Sequence, residues 1–301
     1  MEVPCNRSYQ GPRTPDQGLL GYYSYPNTPC PVTRTTIRSN KRYGLDKVYI
    51  QVPDVPPCSN QPIRLDYYWQ TRPGRHPAVL IWPISGGVDF CVEAFARLFT
   101  SEGSNCAVVH NRPVDLKAVK TAEQVETYFR QVVMDGRKVL DWLQDQPDVD
   151  PERIGELGLS LGGIKAALVA AVDHRVKAVV MGLAGGTIAD IAVSSHERGL
   201  KRYIDRWQQV GVSRERIYQE LLAAVQTDPV KLACYLDASR CLLFLAIFDQ
   251  SVPTKCGNRL RQAIGGPMTI YLPTGHYSAV LFLPYAQLRS LAFLKHHLAK
   301  G

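Results

Sequence analysis

Apolar and polar positions change period several times along this chain of 301 residues. Lys47 to Val52 and Ile63 to Gln70 alternate with a period of two, which predicts a pair of antiparallel strands joined by the Pro-rich turn Pro53 to Pro62. Ala78 to Ile84 is a continuous apolar run, the signature of a strand buried on both faces. Val92 to Phe99 is helical, and Asn105 to His110 forms the next strand. Val125, Phe129, Val132, Val133, Gly136, Val139, Leu140 and Leu143 recur at helical spacing and predict one long amphipathic helix. Ile154 to Leu159 is a short buried strand, followed by a small-residue helix from Gly163 to Val172. Val176 to Leu183, Cys241 to Phe248 and Met268 to Leu272 are three more strands, and Pro284 to Leu298 is a closing helix.

Strands that alternate with helices of this length predict βαβ units and an α/β fold. A mostly parallel sheet of about eight strands with helices on both faces is expected. Residues 1–45 carry Pro4, Pro12, Pro15, Pro26, Pro29 and Pro31 with no sustained period, and read as an irregular Pro/Tyr-rich arm rather than a helix. Residues 46–301 read as one domain. Within it, the segment from about 184 to 240 interrupts the alternation. Its stretches Arg198 to Gln208 and Arg214 to Val225 predict a small helical cap over the C-terminal edge of the sheet.

The junction between the strand at Ile154 and the alanine-rich helix reads Gly158-Leu159-Ser160-Leu161-Gly162. A strand turning sharply into a helix holds its central serine in a strained, exposed conformation, and the flanking glycines leave room where any side chain would collide. Such a serine suits nucleophilic attack, provided that a base takes its proton and an acid orients the base. In a parallel sheet both partners belong on loops leaving the C-terminal ends of later strands. The strand Cys241 to Phe248 ends in Asp249, and the strand ending at Leu272 leads into Pro273-Thr274-Gly275-His276. Taken singly, Asp249 reads equally as a turn former, and a histidine such as His276 is more often a surface residue. Their joint order and spacing favour a site.

Rival groups fit less well. His296 and His297 fall on the closing helix, and His76 and His174 at the opposite strand ends. His110 precedes the serine, although it could touch a substrate. His196 lies in the insert, and the rival acids Asp205 and Asp237 fall in its helices or at their edges. Acyl transfer also needs donors for an oxyanion. The backbone N–H of Leu161 opens the helix after the serine. A second donor is expected from the Gly-rich bend Pro83-Ile84-Ser85-Gly86-Gly87, with Ser85 the first choice and Gly86 the second.

The formal net charge of +8 is carried by scattered Lys and Arg rather than a basic stripe interleaved with aromatics, so no nucleic-acid partner is expected. No run of 18 apolar residues is present, and no membrane span is expected. The eight cysteines contain no C-x-x-C pair and no His at zinc-ligand spacing, so neither metal nor cofactor is expected. Cys91, Cys106 and Cys241 fall in apolar segments as core thiols, while Cys5, Cys30 and Cys58 leave a disulfide open. The residues after Met1 contain no apolar leader region, which makes a cytoplasmic protein the expectation, with a trimmed leader left open.

With these residues in view, the chain resembles the α/β-hydrolase superfamily over about residues 47 to 298. The matching pieces are Asp150-Pro151-Glu152-Arg153-Ile154-Gly155, Gly158-Leu159-Ser160-Leu161-Gly162-Gly163, Asp249-Gln250-Ser251-Val252-Pro253 and Gly275-His276. It looks most like the esterase, dienelactone-hydrolase-like and peptidase-like branch. The resemblance implies Ser160 as nucleophile, His276 as general base and Asp249 as the orienting acid. Ile84-Ser85 stands where many members have His-Gly, and position 160 is Ser rather than the Cys of true dienelactone hydrolases. The expected activity is hydrolysis of a small-molecule ester through an acyl-enzyme. Amide or peptide hydrolysis, and a non-catalytic binding protein on the same fold, stay open.

Overall fold

The computed structural model describes residues 1–26, 29–52, 61–113 and 119–299. Among them, β1 (Glu2–Val3), β2 (Val32–Ser39), β3 (Tyr43–Ile50), β4 (Ile63–Gln70), β5 (His76–Trp82), β6 (Asn105–Val109), β7 (Val149–Leu159), β8 (Val176–Gly182), β9 (Cys241–Ala246) and β10 (Met268–Leu272) form one sheet. Their spatial order is β1-β10-β9-β8-β7-β5-β6-β4-β3-β2. From β6 through β10 every neighbouring pair is parallel, and the outer pairs at both ends are antiparallel. The sheet is open, with helices on both faces.

The periodicities explain the layers. Side chains alternate across a strand, so a strand covered on both faces must be apolar at every position. In β5, Ala78, Leu80 and Trp82 pack on one side with α3 (Ala122–Gln144) and α4 (Leu161–Val172). Val79 and Ile81 pack on the other, with α2 (Phe90–Ser101) and α9 (Leu283–His297). By contrast β3 alternates half-buried and buried residues, as the sequence pattern predicts. Thr121 caps α3, with Gln124 returning the bond to the Thr121 N–H, which fixes where the long helix starts.

Ten strands replace the expected eight, because residues 1–45 are not irregular. Eight strands come from residue 43 onward, and the N-terminal segment adds one strand to each edge. β1 pairs with β10 and β2 with β3, while α1 (Gln17–Tyr22), capped by Asp16, lies between them in sequence. The prolines prevent a long helix there, but they do not prevent edge strands or a helix of six residues. β2 is exposed throughout and rich in Thr and Arg, a composition that discourages further strand pairing at an edge.

Between its two strands the segment crosses the molecule as a strap pinned by tyrosines. Tyr9 donates to the Leu236 carbonyl at 2.8 Å, Tyr22 to Glu126 at 2.7 Å and Tyr25 to Asp141 at 2.7 Å. Tyr23 is buried, with its hydroxyl 2.9 Å from that of Thr227. Each hydroxyl thereby reaches a partner on the body of the fold, and Tyr9, Tyr22 and Tyr23 also pack their rings against the core.

Other differences from expectation are local. Cys106 and Cys241 are buried as expected, but Cys91 is only half-buried, because it sits on the outer shoulder of α2. Cys5 carries no disulfide, and Lys138 Nζ approaches Cys30 Sγ at 3.4 Å. Cys58 and most of the turn Pro53 to Pro62 lie outside the described residues. The segment after β8 forms α5 (Ile188–Ser194), α6 (Arg198–Gln209) and α7 (Arg214–Ala224), before β9, α8 (Thr254–Ile264) and β10 complete the fold.

One core group departs from apolar packing. Glu156 in β7 is fully buried, and neither carboxyl oxygen has a hydrogen-bond partner among the described residues. Burial raises its carboxyl well above the usual carboxylate range, the neighbouring Trp82 indole offsets part of this, and the charge of Asp173 adds to it. The native state therefore keeps a proton that the unfolded chain releases near the ordinary value of 4.5. The contribution of this group to stability therefore falls as pH rises above that value, by up to about 1.4 kcal/mol per pH unit. Denaturant unfolding of wild type and Glu156→Gln should show the variant gaining relative stability from pH 5 to pH 8. Parallel pH profiles would refute the assignment.

Candidate active site

The residues at 158–162 turn sharply between β7 and α4. Ser160 has φ 54° and ψ −119°, a left-handed backbone that costs a non-glycine residue about 1–3 kcal/mol. Its N–H donates to the Gly182 carbonyl at 2.7 Å, and its carbonyl accepts from Ile164 N at 3.2 Å. Close backbone approach demands the flanking glycines. A Cβ on Gly158 would sit 2.0 Å from the Gly162 carbonyl oxygen, and one on Gly162 would sit 2.2 Å from that of Trp82. The first turn of α4 therefore rests directly on the Trp82-Pro83 backbone.

The acid and the histidine leave neighbouring strands. β9 and β10 pair in parallel, with Ala246 opposite Leu272. Beyond them Ile247 N donates to Leu272 O and Phe248 N to Thr274 O, both at 3.0 Å, so the two loops stay paired for another turn. Asp249 Oδ1 accepts from Ser251 N and Val252 N at 2.9 Å each, which fixes the carboxylate. Its Oδ2 lies 2.7 Å from His276 Nδ1, and His276 Nε2 lies 2.9 Å from Ser160 Oγ. The three side chains singled out from the sequence thus form one hydrogen-bonded run. Both partners are shielded, with side-chain exposure of 2% for Asp249 and 10% for His276.

Leu161 opens α4, where the N–H groups of a first turn have no intrahelical acceptor. Ser85 and Gly86 lie in a turn after β5, closed by Gly87 N donating to Ile84 O at 2.9 Å. That turn continues from the Trp82-Pro83 backbone on which Gly162 rests. The rival groups are engaged elsewhere. His110 pairs with Asp66 at 3.0 Å, Asp237 caps a turn at Ser239, and Asp205 is exposed on α6.

Two neighbours of the site escaped the sequence reading. Tyr277 donates to Glu197 Oε1 at 2.5 Å, tying the segment before α6 to the histidine loop. Burial pushes the Glu197 carboxyl up, but hydrogen bonds from Ser251 and Tyr277 and the facing His276 outweigh it and hold the group below the usual range. His196 adds a second tie, with its N–H donating to Gln250 O at 2.8 Å. Only the juxtaposition of three loops gives these residues meaning, and no local motif marks them.

With the geometry established, comparison with known proteins is informative. The acetyl xylan esterase (AXE1) family model matches residues 55–184. An acetyl xylan esterase from Paenibacillus sp. R4 superposes with a TM-score of 0.70 at 17% identity, covering 90% of each chain. Acetyl xylan esterase 1 from Thermoanaerobacterium sp. JW/SL YS485 gives 0.65 at 16% identity, covering 85% of this chain and 88% of its own. The alpha/beta hydrolase GrgF from Penicillium sp. sh18 gives 0.56 at 16% identity, covering 90% and 100%. The chain has the α/β-hydrolase fold. The chain is also 43% identical to the putative hydrolase YtaP of Bacillus subtilis (strain 168) over 49 residues, which span only 16% of this chain and 16% of that protein.

The close approach at the elbow has a measurable consequence. Because the clash at Gly162 is with backbone, Gly162→Ala should destabilise the fold by at least about 3 kcal/mol, the upper end of overpacking costs. Gly199→Ala, with open space around its Cβ, serves as the control and should stay near wild type. Equal melting temperatures for the two variants would contradict the packing described here.

Proposed function

We propose that this protein is a serine hydrolase that cleaves a carboxylic ester through an acyl-enzyme. The observation that carries the reading is the hydrogen-bonded run Ser160–His276–Asp249, with links of 2.9 and 2.7 Å. Ser160 Oγ attacks the ester carbonyl while His276 Nε2 takes its proton. An ionised Asp249 keeps the Nδ1–H tautomer and stabilises the imidazolium that forms. The oxyanion is received by Leu161 N–H together with Ser85 N–H, with Gly86 N–H as the alternative second donor. His276 then returns the proton to the leaving alkoxide, and a water activated by the same imidazole releases the acid.

A small acyl group, acetyl above all, is the proposed substrate feature. The acetyl xylan esterase family model and the two structurally similar acetyl xylan esterases support it. Amide hydrolysis would use the same groups, but no observation favours it. A non-catalytic role leaves the shielded acid, the oriented imidazole and the strained serine without an explanation.

Turnover of p-nitrophenyl acetate should fall by about 10⁴ in kcat for Asp249→Asn, with a comparable or larger loss for Ser160→Ala and His276→Ala. A fluorophosphonate probe should label the wild type and leave Ser160→Ala unlabelled. Equal labelling of both proteins would overturn the assignment.

A further inference from the structure

α4 carries one charged residue, Lys165, and it is buried at 3% exposure in a helix otherwise made of Ala, Leu, Val, Ile and Gly. A buried lysine is rare and costly, and an aliphatic side chain would pack there more cheaply. Lys165 lies three residues after Gly162, so it projects from the same helix face toward β5 and β6. Its ammonium donates to Asn111 Oδ1 at 2.7 Å, and the rings of Trp82 and Tyr128 stand 5.9 and 5.7 Å away. Asn111 Nδ2 in turn donates to the Ile84 carbonyl at 2.7 Å. That carbonyl also accepts the Gly87 N–H that closes the turn.

A trans peptide unit is planar, with its C=O and N–H pointing in opposite directions. Holding the Ile84 carbonyl from one side therefore fixes the direction of the Ser85 N–H on the other. Donors to an oxyanion are effective only when held in place before the charge develops. A Gly-rich turn has no side-chain packing of its own to do this. We infer that Lys165 and Asn111 are positioning residues, which lock the Ile84–Ser85 peptide so that the Ser85 N–H serves as an oxyanion donor. This inference rests on the ester-hydrolase reading. It also explains the charge on α4: the nucleophile's own helix carries the cation that orders the opposing loop. Asp135 also feels the charge of that cation, while Arg112 at 3.1 Å and Gln131 at 2.6 Å hold its carboxylate.

Asn111→Asp is the informative substitution. It keeps an acceptor for Lys165, now as an ion pair, but removes the donor to Ile84 O. Its kcat on p-nitrophenyl acetate should fall about tenfold to a hundredfold, less than the loss of a whole oxyanion donor, while KM and melting temperature stay near wild type. Lys165→Met should lose as much, the Lys165→Met/Asn111→Asp pair no more than either alone, and Lys165→Gln, which keeps an uncharged donor, should recover most of the rate. Amide hydrogen exchange across residues 84–87 should accelerate in Asn111→Asp and Lys165→Met but not in Lys165→Gln. Unchanged exchange, or faster exchange with wild-type kcat, overturns the inference. A wild type that turns over no ester overturns the functional reading itself, and the exchange comparison still decides whether the relay holds the loop.

Discussion

A single backbone contact supports the rest of this site. Ser160 is held at a positive φ only because α4 cannot retreat from the sheet, and α4 stays in place because Gly162 lies directly against the Trp82 and Pro83 carbonyls. Central position in the sheet supplies the rigidity. β7 is flanked by β5 and β8, and the Ser160 N–H bonds across to Gly182. Strain of this size persists only where surrounding packing over-determines it. The same contact seats α4, and with it Ser160, against the backbone that leads into the turn at residues 84–87.

The acid and the base follow from sheet topology. Parallel neighbours release their loops at the same edge, and the ladder between β9 and β10 continues into both loops. Asp249 and His276, 27 residues apart in sequence, therefore meet at 2.7 Å. Two backbone N–H groups from its own loop hold the other oxygen of the Asp249 carboxylate. The segment before α6 then joins the histidine loop through the hydrogen bond from Tyr277 to Glu197.

The N-terminal segment solves a different problem. An open sheet leaves two edges, and here one stretch of chain closes both, with a two-residue strand at one side and an exposed Thr/Arg-rich strand at the other. Between them its described residues meet scattered acceptors, among them the Leu236 carbonyl, the Thr227 hydroxyl and the carboxylates of Glu126 and Asp141. Its tyrosines reach such scattered acceptors one at a time, which leaves no period to read. That is why this segment reads as irregular in sequence, although its described residues form two edge strands and a helix.

Much of the site was legible because it depends on strand ends and on residue types with few other uses. The apolar run in β5, the glycines around Ser160 and the placement of Asp249 and His276 after β9 and β10 all follow from local period and chain order. Asn111, Lys165, Glu197 and Tyr277 were not legible, since each matters only through a partner brought near by tertiary packing. Glu156 is the clearest such case: its residue type argues for solvent, and only the burial of β7 on both faces makes it a neutral core group. The sequence alone determined the alternation of strands and helices and the order of nucleophile, acid and base, because these are one-dimensional properties of the chain. Tertiary structure alone decided which carbonyls, carboxylates and rings surround them, because distance in space between loops is set by sheet order and backbone packing rather than by spacing in sequence.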